Sequence, residues 1–241
     1  MKYLVLIIFA ALTAIPANAQ KKSIPADEYV LIDLVVLNEG YSQKDRDAYN
    51  EEIQVFAKDY GADLRQSYKV AQKLAGAGPN GVTEFNLWSL KSPDALAGLS
   101  ADENYKAIVP KRDKIHNMDK LTLFLARPKP GYNSFKPKAG KFYLLDYVIM
   151  TEGNGLLQRT IYTKQIETIA AKFGVQKIAS FDVLQHLGGL IPGVLEVNVW
   201  EMDSPESMQA LGNDPVYQKI IPFRDQIHDM QKLTLYMAQA K

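Results

Sequence analysis

Leu31-Ile-Asp-Leu-Val-Val-Leu-Asn-Glu-Gly40 returns 113 residues later as Leu144-Leu-Asp-Tyr-Val-Ile-Met-Thr-Glu-Gly153. The same offset carries Tyr49, Ile53, Ala57 and Gly61 onto Tyr162, Ile166, Ala170 and Gly174. One residue drops out near Asn80 and the offset becomes 112. Glu84-Phe-Asn-Leu-Trp88 then meets Glu196-Val-Asn-Val-Trp200, and Pro110-Lys-Arg-Asp-Lys-Ile-His-Asn-Met118 meets Pro222-Phe-Arg-Asp-Gln-Ile-His-Asp-Met230. Agreement held over that distance reads as one unit written twice.

Each unit reads β-α-β-β-α-β. Tyr29 to Leu37 is apolar and of strand length. Gln43 to Tyr60 places Tyr49, Ile53, Phe56 and Tyr60 at helical spacing, and Gly61 stops it. Ser67 to Leu74 and Val82 to Leu90 are strands around a turn containing Gly76, Gly78, Pro79 and Gly81. Ser92 caps a helix begun by Pro93, Asp102 opens another that runs to about His116, and Leu121 to Ala126 is the last strand. That order is the ferredoxin-like unit, one sheet with helices on one face. The uncovered face needs a partner. The expected fold is therefore α+β: two tethered ferredoxin-like repeats, residues 20–128 and 141–241, closing an intramolecular pseudo-twofold barrel of eight strands. Residues 129–140, with Pro130, Pro137, Gly131 and Gly140, read as a linker.

Ahead of the repeats, Lys2 precedes an apolar run from Tyr3 to Ile15, too short for a bilayer span, and Ala17-Asn-Ala19 follows Pro16. Residues 1–19 read as a secretory signal peptide cut before Gln20, giving a periplasmic or secreted protein with no membrane attachment after cleavage. Lys+Arg 28 against Asp+Glu 27 offers no footprint for nucleic acid. The absence of cysteine excludes disulfides, thiolate metal sites, Cys nucleophiles and a lipoprotein anchor. Three histidines are too few for a His-rich metal centre, and no metal or cofactor is expected.

Val194 to Val199, Ser204-Pro205-Glu206, Asp214-Pro-Val-Tyr217 and Ile221-Pro222-Phe-Arg224 resemble the DUF1330 family: a strand, a short helical element opened by Ser, a Tyr, and a later Arg. Glu103 stands in the first copy where the second has Pro215. The resemblance implies the dimeric α/β-barrel superfamily. That superfamily hosts haem-degrading monooxygenases, cofactor-free oxygenases, dye-decolourising peroxidases and isomerases, so it implies no single reaction.

Two constellations carry candidate chemistry. Arg112 and His116, with their copies Arg224 and His228, are i,i+4 on a helix: an anion or carbonyl anchor beside a proton carrier, or cations placed at a helix C-terminus by its dipole. Glu84, Asn86 and Trp88, with Glu196, Asn198 and Trp200, share a strand face by the period of two. Phe85 and Leu87 should then pack under the helices, leaving the polar triplet to line the barrel interior. Asp33 and Asp146, in apolar first strands, join them, and one carboxylate of a close pair would have a raised pKa. The charge of Arg112 or Arg224 needs an acceptor, in Asp33 or Glu84, in Asp146 or Glu196, or in a ligand. His186 replaces Lys73 and breaks the duplication, reading as a loop histidine or as the mark of the copy that kept a function.

The leading expectation is an exported small-molecule-binding barrel, with an apolar or aromatic, oxygen-bearing ligand and metal-free turnover. The alternatives are a non-catalytic binding or scaffold protein, and a haem-binding monooxygenase-like protein.

Overall fold

The apolar run that opens each half is a strand buried on both faces. In the first half Val30, Ile32 and Leu34 are fully buried on one side, while Leu31 and Asp33 face the helices. The computed structural model describes residues 29–133 and 137–241, so the signal-peptide reading and its cleavage site lie outside the described residues.

The first half comprises β1 (Tyr29–Val36), α1 (Gln43–Ala57), β2 (Ala62–Ala75), β3 (Val82–Leu90), α2 (Asp94–Ala101), α3 (Glu103–Ile115) and β4 (Thr122–Asn133). The second repeats the order as β5 (Phe142–Val148), α4 (Leu156–Ala170), β6 (Gln176–Gly188), β7 (Glu196–Met202), α5 (Pro205–Asn213), α6 (Pro215–Ile227) and β8 (Thr234–Ala240). Helix starts follow local chemistry. The Ser42 backbone N–H donates to the Asp45 carboxylate at 2.8 Å, and Asp102 and Asp214 accept from the first-turn amides of α3 and α6. Hydrogen bonding runs β1-β3-β2-β8-β5-β7-β6-β4 and closes, an eight-stranded antiparallel barrel.

The described residues form two compact units that do not coincide with the two halves. The first holds residues 29–67, 81–127 and 184–190; the second takes 68–80, 191–241 and what is described of 128–183. In the first, β1 lies between β3 and β4, pairing Asp33 with Asn86 and Leu123. In the second, β5 lies between β7 and β8, pairing Asp146 with Asn198 and Leu235. Each unit thus keeps one long strand end from the other half: 184–190 of β6 in the first, 68–75 of β2 in the second. Part of the stretch read as a linker is also strand, since β4 continues to Asn133.

The glycine-rich turns close the β2–β3 and β6–β7 connections between neighbouring strands. Gly76 has φ 90, and a Cβ there would sit 1.8 Å from the Leu233 carbonyl oxygen; Gly189, at φ 101, would meet Thr122 Oγ1 at 2.4 Å. Only glycine tolerates both the left-handed backbone and the close strand.

One expectation is inverted. Trp88 packs with Tyr49 and Ile53 of α1, Leu99 of α2 and Tyr105 of α3, so the Glu84, Asn86, Trp88 face lies under the helices. Phe85 and Leu87, fully buried, occupy the opposite face. A strand buried on both sides gives the period of two no signal for which face meets the helices. The second unit agrees: Trp200 packs with Tyr162 and Ile166 of α4 and Leu211 of α5.

Candidate functional site

Each unit holds one apolar cavity between helices and sheet, about 130 Å³ in the first and about 110 Å³ in the second. Matching positions line both. Leu31, Asp33, Arg46, Tyr49, Trp88 and Tyr105 of the first correspond to Leu144, Asp146, Arg159, Tyr162, Trp200 and Tyr217 of the second.

The polar end of the first cavity is organised by Arg46, which the sequence reading missed. Its Nε donates to Glu84 Oε2 at 3.0 Å, its Nη2 lies 3.7 Å from Asp33 Oδ2, and its Nη1 lies 3.0 Å from His116 Nε2. Asn86 Nδ2 donates to Asp33 Oδ1 at 2.6 Å and Trp88 Nε1 to Asp33 Oδ2 at 3.1 Å. Glu84 also accepts from Ser67 at 2.9 Å and Gln43 at 3.1 Å. The second cavity repeats the frame. Arg159 Nη2 donates to Glu196 Oε1 at 2.6 Å and lies 3.8 Å from Asp146 Oδ2, and its Nη1 lies 3.3 Å from His228 Nε2. Asn198 Nδ2 donates to Asp146 Oδ2 at 3.1 Å, and its Oδ1 accepts from Ser180 at 2.7 Å. Lys129, at the polar end of β4, joins Glu196 directly. The signal for Arg46 and Arg159 was present: they stand at the same offset of 113 and three residues before Tyr49 and Tyr162.

The charges follow. Burial raises the pKa of Asp33 and of Asp146 above the usual carboxylate range, against the opposing pull of Arg46 and Arg159. Burial also works to raise Glu196, but Arg159 and Lys129 outweigh it and hold that carboxyl at about 2. Burial, then the facing Arg46, push His116 down to about 3, and burial with Arg159 pushes His228 to about 4. A guanidinium N–H can only donate, so His116 Nε2 accepts, and its Nδ1–H donates to the Arg112 carbonyl at 2.8 Å. The ring is neutral and of fixed tautomer.

Arg112 and Arg224 do not reach the buried carboxylates. Arg112 Nε donates to Asp113 at 2.8 Å and Nη1 to the Tyr105 hydroxyl at 2.9 Å; Arg224 makes the same bonds to Asp225 and Tyr217 at 2.7 Å and 2.9 Å. Each lines its cavity wall, held by its sequence neighbour. His186 is not in a loop. It sits on β6, half-buried, its ring 5.3 Å from that of Phe124, and lines neither cavity.

No family model matches the chain, and no curated protein is similar to it. Solved structures are. An anthrone oxidase-like protein aligns over 89% of this chain and 93% of its own, with TM-score 0.55 and 12% identity. A mutant chlorite dismutase from Candidatus Nitrospira defluvii aligns over 93% and 96%, with TM-score 0.55 and 13% identity. A monooxygenase candidate from Lactobacillus acidophilus NCFM aligns over 88% and 95%, with TM-score 0.50 and 13% identity. The chain shares the fold of these structures. At such identities the likeness extends to the fold alone.

The residues present do not fit haem. A tetrapyrrole is several times larger than either cavity, and the nitrogen that His116 or His228 would offer to iron is held against a guanidinium. Among the described residues no group of three or more His, Cys, Asp or Glu is placed to hold a metal ion.

Proposed function

We propose that the protein binds small, apolar, oxygen-bearing molecules of about one aromatic ring in its two cavities, each walled by a buried carboxyl, Asp33 or Asp146. The observation that carries this is, in each unit, a largely apolar cavity with a buried carboxyl beside an arginine at its polar end. Burial raises the pKa of both carboxyls, which suits each to proton exchange with a ligand that reaches it. The size supports one ring, since an apolar cavity of ~150 Å³ in another protein accepts benzene. Arg46 and Arg159 hold the carboxyls in place, while Glu84 and Asn86, saturated by internal partners, are structural. The fold neighbours, described as oxidase-like, dismutase and monooxygenase proteins, support a small-molecule site on this scaffold. The duplication, the kinship with DUF1330 and export behind residues 1–19 belong to the same reading.

The test is direct because the chain has two tryptophans and each lines one cavity. Phenol titrated into the protein should perturb tryptophan emission saturably, with part of the change lost in Trp88→Phe and the rest in Trp200→Phe. Emission that follows phenol only linearly, as collisional quenching does, would overturn the proposal.

A further inference from the structure

The two cavities differ at one pair of polar atoms. In the first, Trp88 Nε1 donates to Asp33 Oδ2 at 3.1 Å while Asn86 takes Oδ1, so both carboxylate oxygens are engaged by the protein itself. In the second, Asn198 and Arg159 both turn to Asp146 Oδ2, at 3.1 Å and 3.8 Å. Among the described residues nothing bonds Asp146 Oδ1, and nothing accepts from Trp200 Nε1. Both side chains line the cavity, and the two residues are only 9% and 6% exposed. An unpartnered donor and an unpartnered acceptor on residues of one cavity wall are met by water or by a ligand that brings both an acceptor and a donor.

We infer that the second cavity is the selective one: it recognises a hydroxyl on an aromatic ring through Trp200 Nε1 as donor and Asp146 Oδ1 as acceptor, whereas the first cavity, its Asp33 already engaged, takes the ring without distinguishing the hydroxyl. A hydroxyl is the smallest group that donates and accepts at once, and so answers both open atoms. In the first cavity it would have to break the Trp88–Asp33 bond to make equivalent ones, gaining little. This rests on the small-molecule reading above and deepens it, naming phenols as the ligand class of one site.

The test compares phenol with benzene, which differ by that hydroxyl, on the full chain. Two indole N–H signals are expected in a ¹⁵N-correlation spectrum, assigned by their loss in Trp88→Phe and in Trp200→Phe. Each probe is titrated and the midpoint read at each signal. Phenol should bind about tenfold more tightly than benzene at the Trp200 signal, the worth of a modest net hydrogen-bond gain, with no comparable preference at Trp88. Equal preference at both signals, or a stronger one at Trp88, would overturn the inference while leaving two small-molecule sites standing. If neither probe moves either signal, both the inference and the small-molecule reading fall.

Discussion

Arg46 faces Glu84 with neither side chain more than 5% exposed, so removing it leaves a buried carboxylate without its counter-charge. Arg46→Met should cost roughly 3–5 kcal/mol by urea denaturation. Arg112→Met should cost about 1 kcal/mol or less, because its partner Asp113 is 45% exposed and can return to water. Equal losses would show that the two arginines have been given the wrong roles. His116 sets a pH dependence. Its ring titrates at 6.5 when unfolded and at about 3 when folded, so the native state binds fewer protons between those values. Stability is full above 6.5 and falls as the pH drops through that window. Asp33 and Asp146 oppose the trend, but only near and above the ordinary 3.8, where the native carboxyls keep protons that the unfolded chain has lost. His116→Gln supplies an amide oxygen to Arg46 and takes up no proton. Its urea midpoint should drop less between pH 7 and pH 5.5 than that of the parent, and an undiminished drop would remove His116 from the account. Most of these residues were legible as candidates. Their partnerships were not, because an arginine one helix away leaves no trace in the spacing of Arg112 and His116.

Strand β6 presents the element-scale contrast between the two units. Lys177, its side chain 2% exposed, reaches Glu167 on α4 at 2.6 Å and lies 4.3 Å from the Tyr132 ring centroid on β4. Burial lowers its pKa against the pull of Glu167. At the same offset the first half has Leu64 and Gln54, an apolar and a neutral residue serving an equivalent strand and helix. Replacing a buried ion pair with well-packed apolar residues is commonly neutral or stabilising, whereas removing one partner is not. The double substitution Lys177→Leu with Glu167→Gln should therefore match or exceed the parent in stability, and Lys177→Leu alone should fall below it. A double variant weaker than the single would mean that the lysine holds the extended end of β4 in a way no apolar residue can. Element type and order were readable throughout, since helical spacing in α1 and α4 and strand runs in β1 and β5 are strong local signals. The orientation of β3 was not. With Phe85, Leu87 and Trp88 all buried, hydrophobicity assigns neither face, and it is polar partners on α1, Arg46 and Gln43, that meet Glu84 on the helix side.

At the scale of the molecule, the two compact units are not the two halves of the sequence, and this bears on whether a half can stand alone. The first unit includes residues 184–190, and Leu187, 5% exposed, belongs to its core and lines its cavity. The second includes residues 68–80, where Tyr68 is fully buried against Tyr143 at 5.0 Å and β2 pairs with β8 from Tyr68 to Ala75. A sequence offset cannot show this, because it records which residues correspond and not which strand ends each unit keeps. A fragment of residues 20–133 would lack Leu187 and would carry Tyr68 and Val70 without the strand that covers them. It should be unfolded, aggregated or paired with itself. Residues 137–241 would lack the edge that β2 supplies to β8 and should fare no better. Mixed from denaturant, the two fragments should recover a one-to-one complex with the far-ultraviolet spectrum of the intact chain, because every pairing absent from each is present in the other. The linkage in the intact chain then acts through effective concentration, and the complex should dissociate on dilution where the single chain does not. Size-exclusion chromatography with light scattering reads all three samples. A monomeric 20–133 fragment that melts cooperatively at the temperature of the intact protein would show that the strand end at 184–190 is dispensable, and with it this division of the molecule.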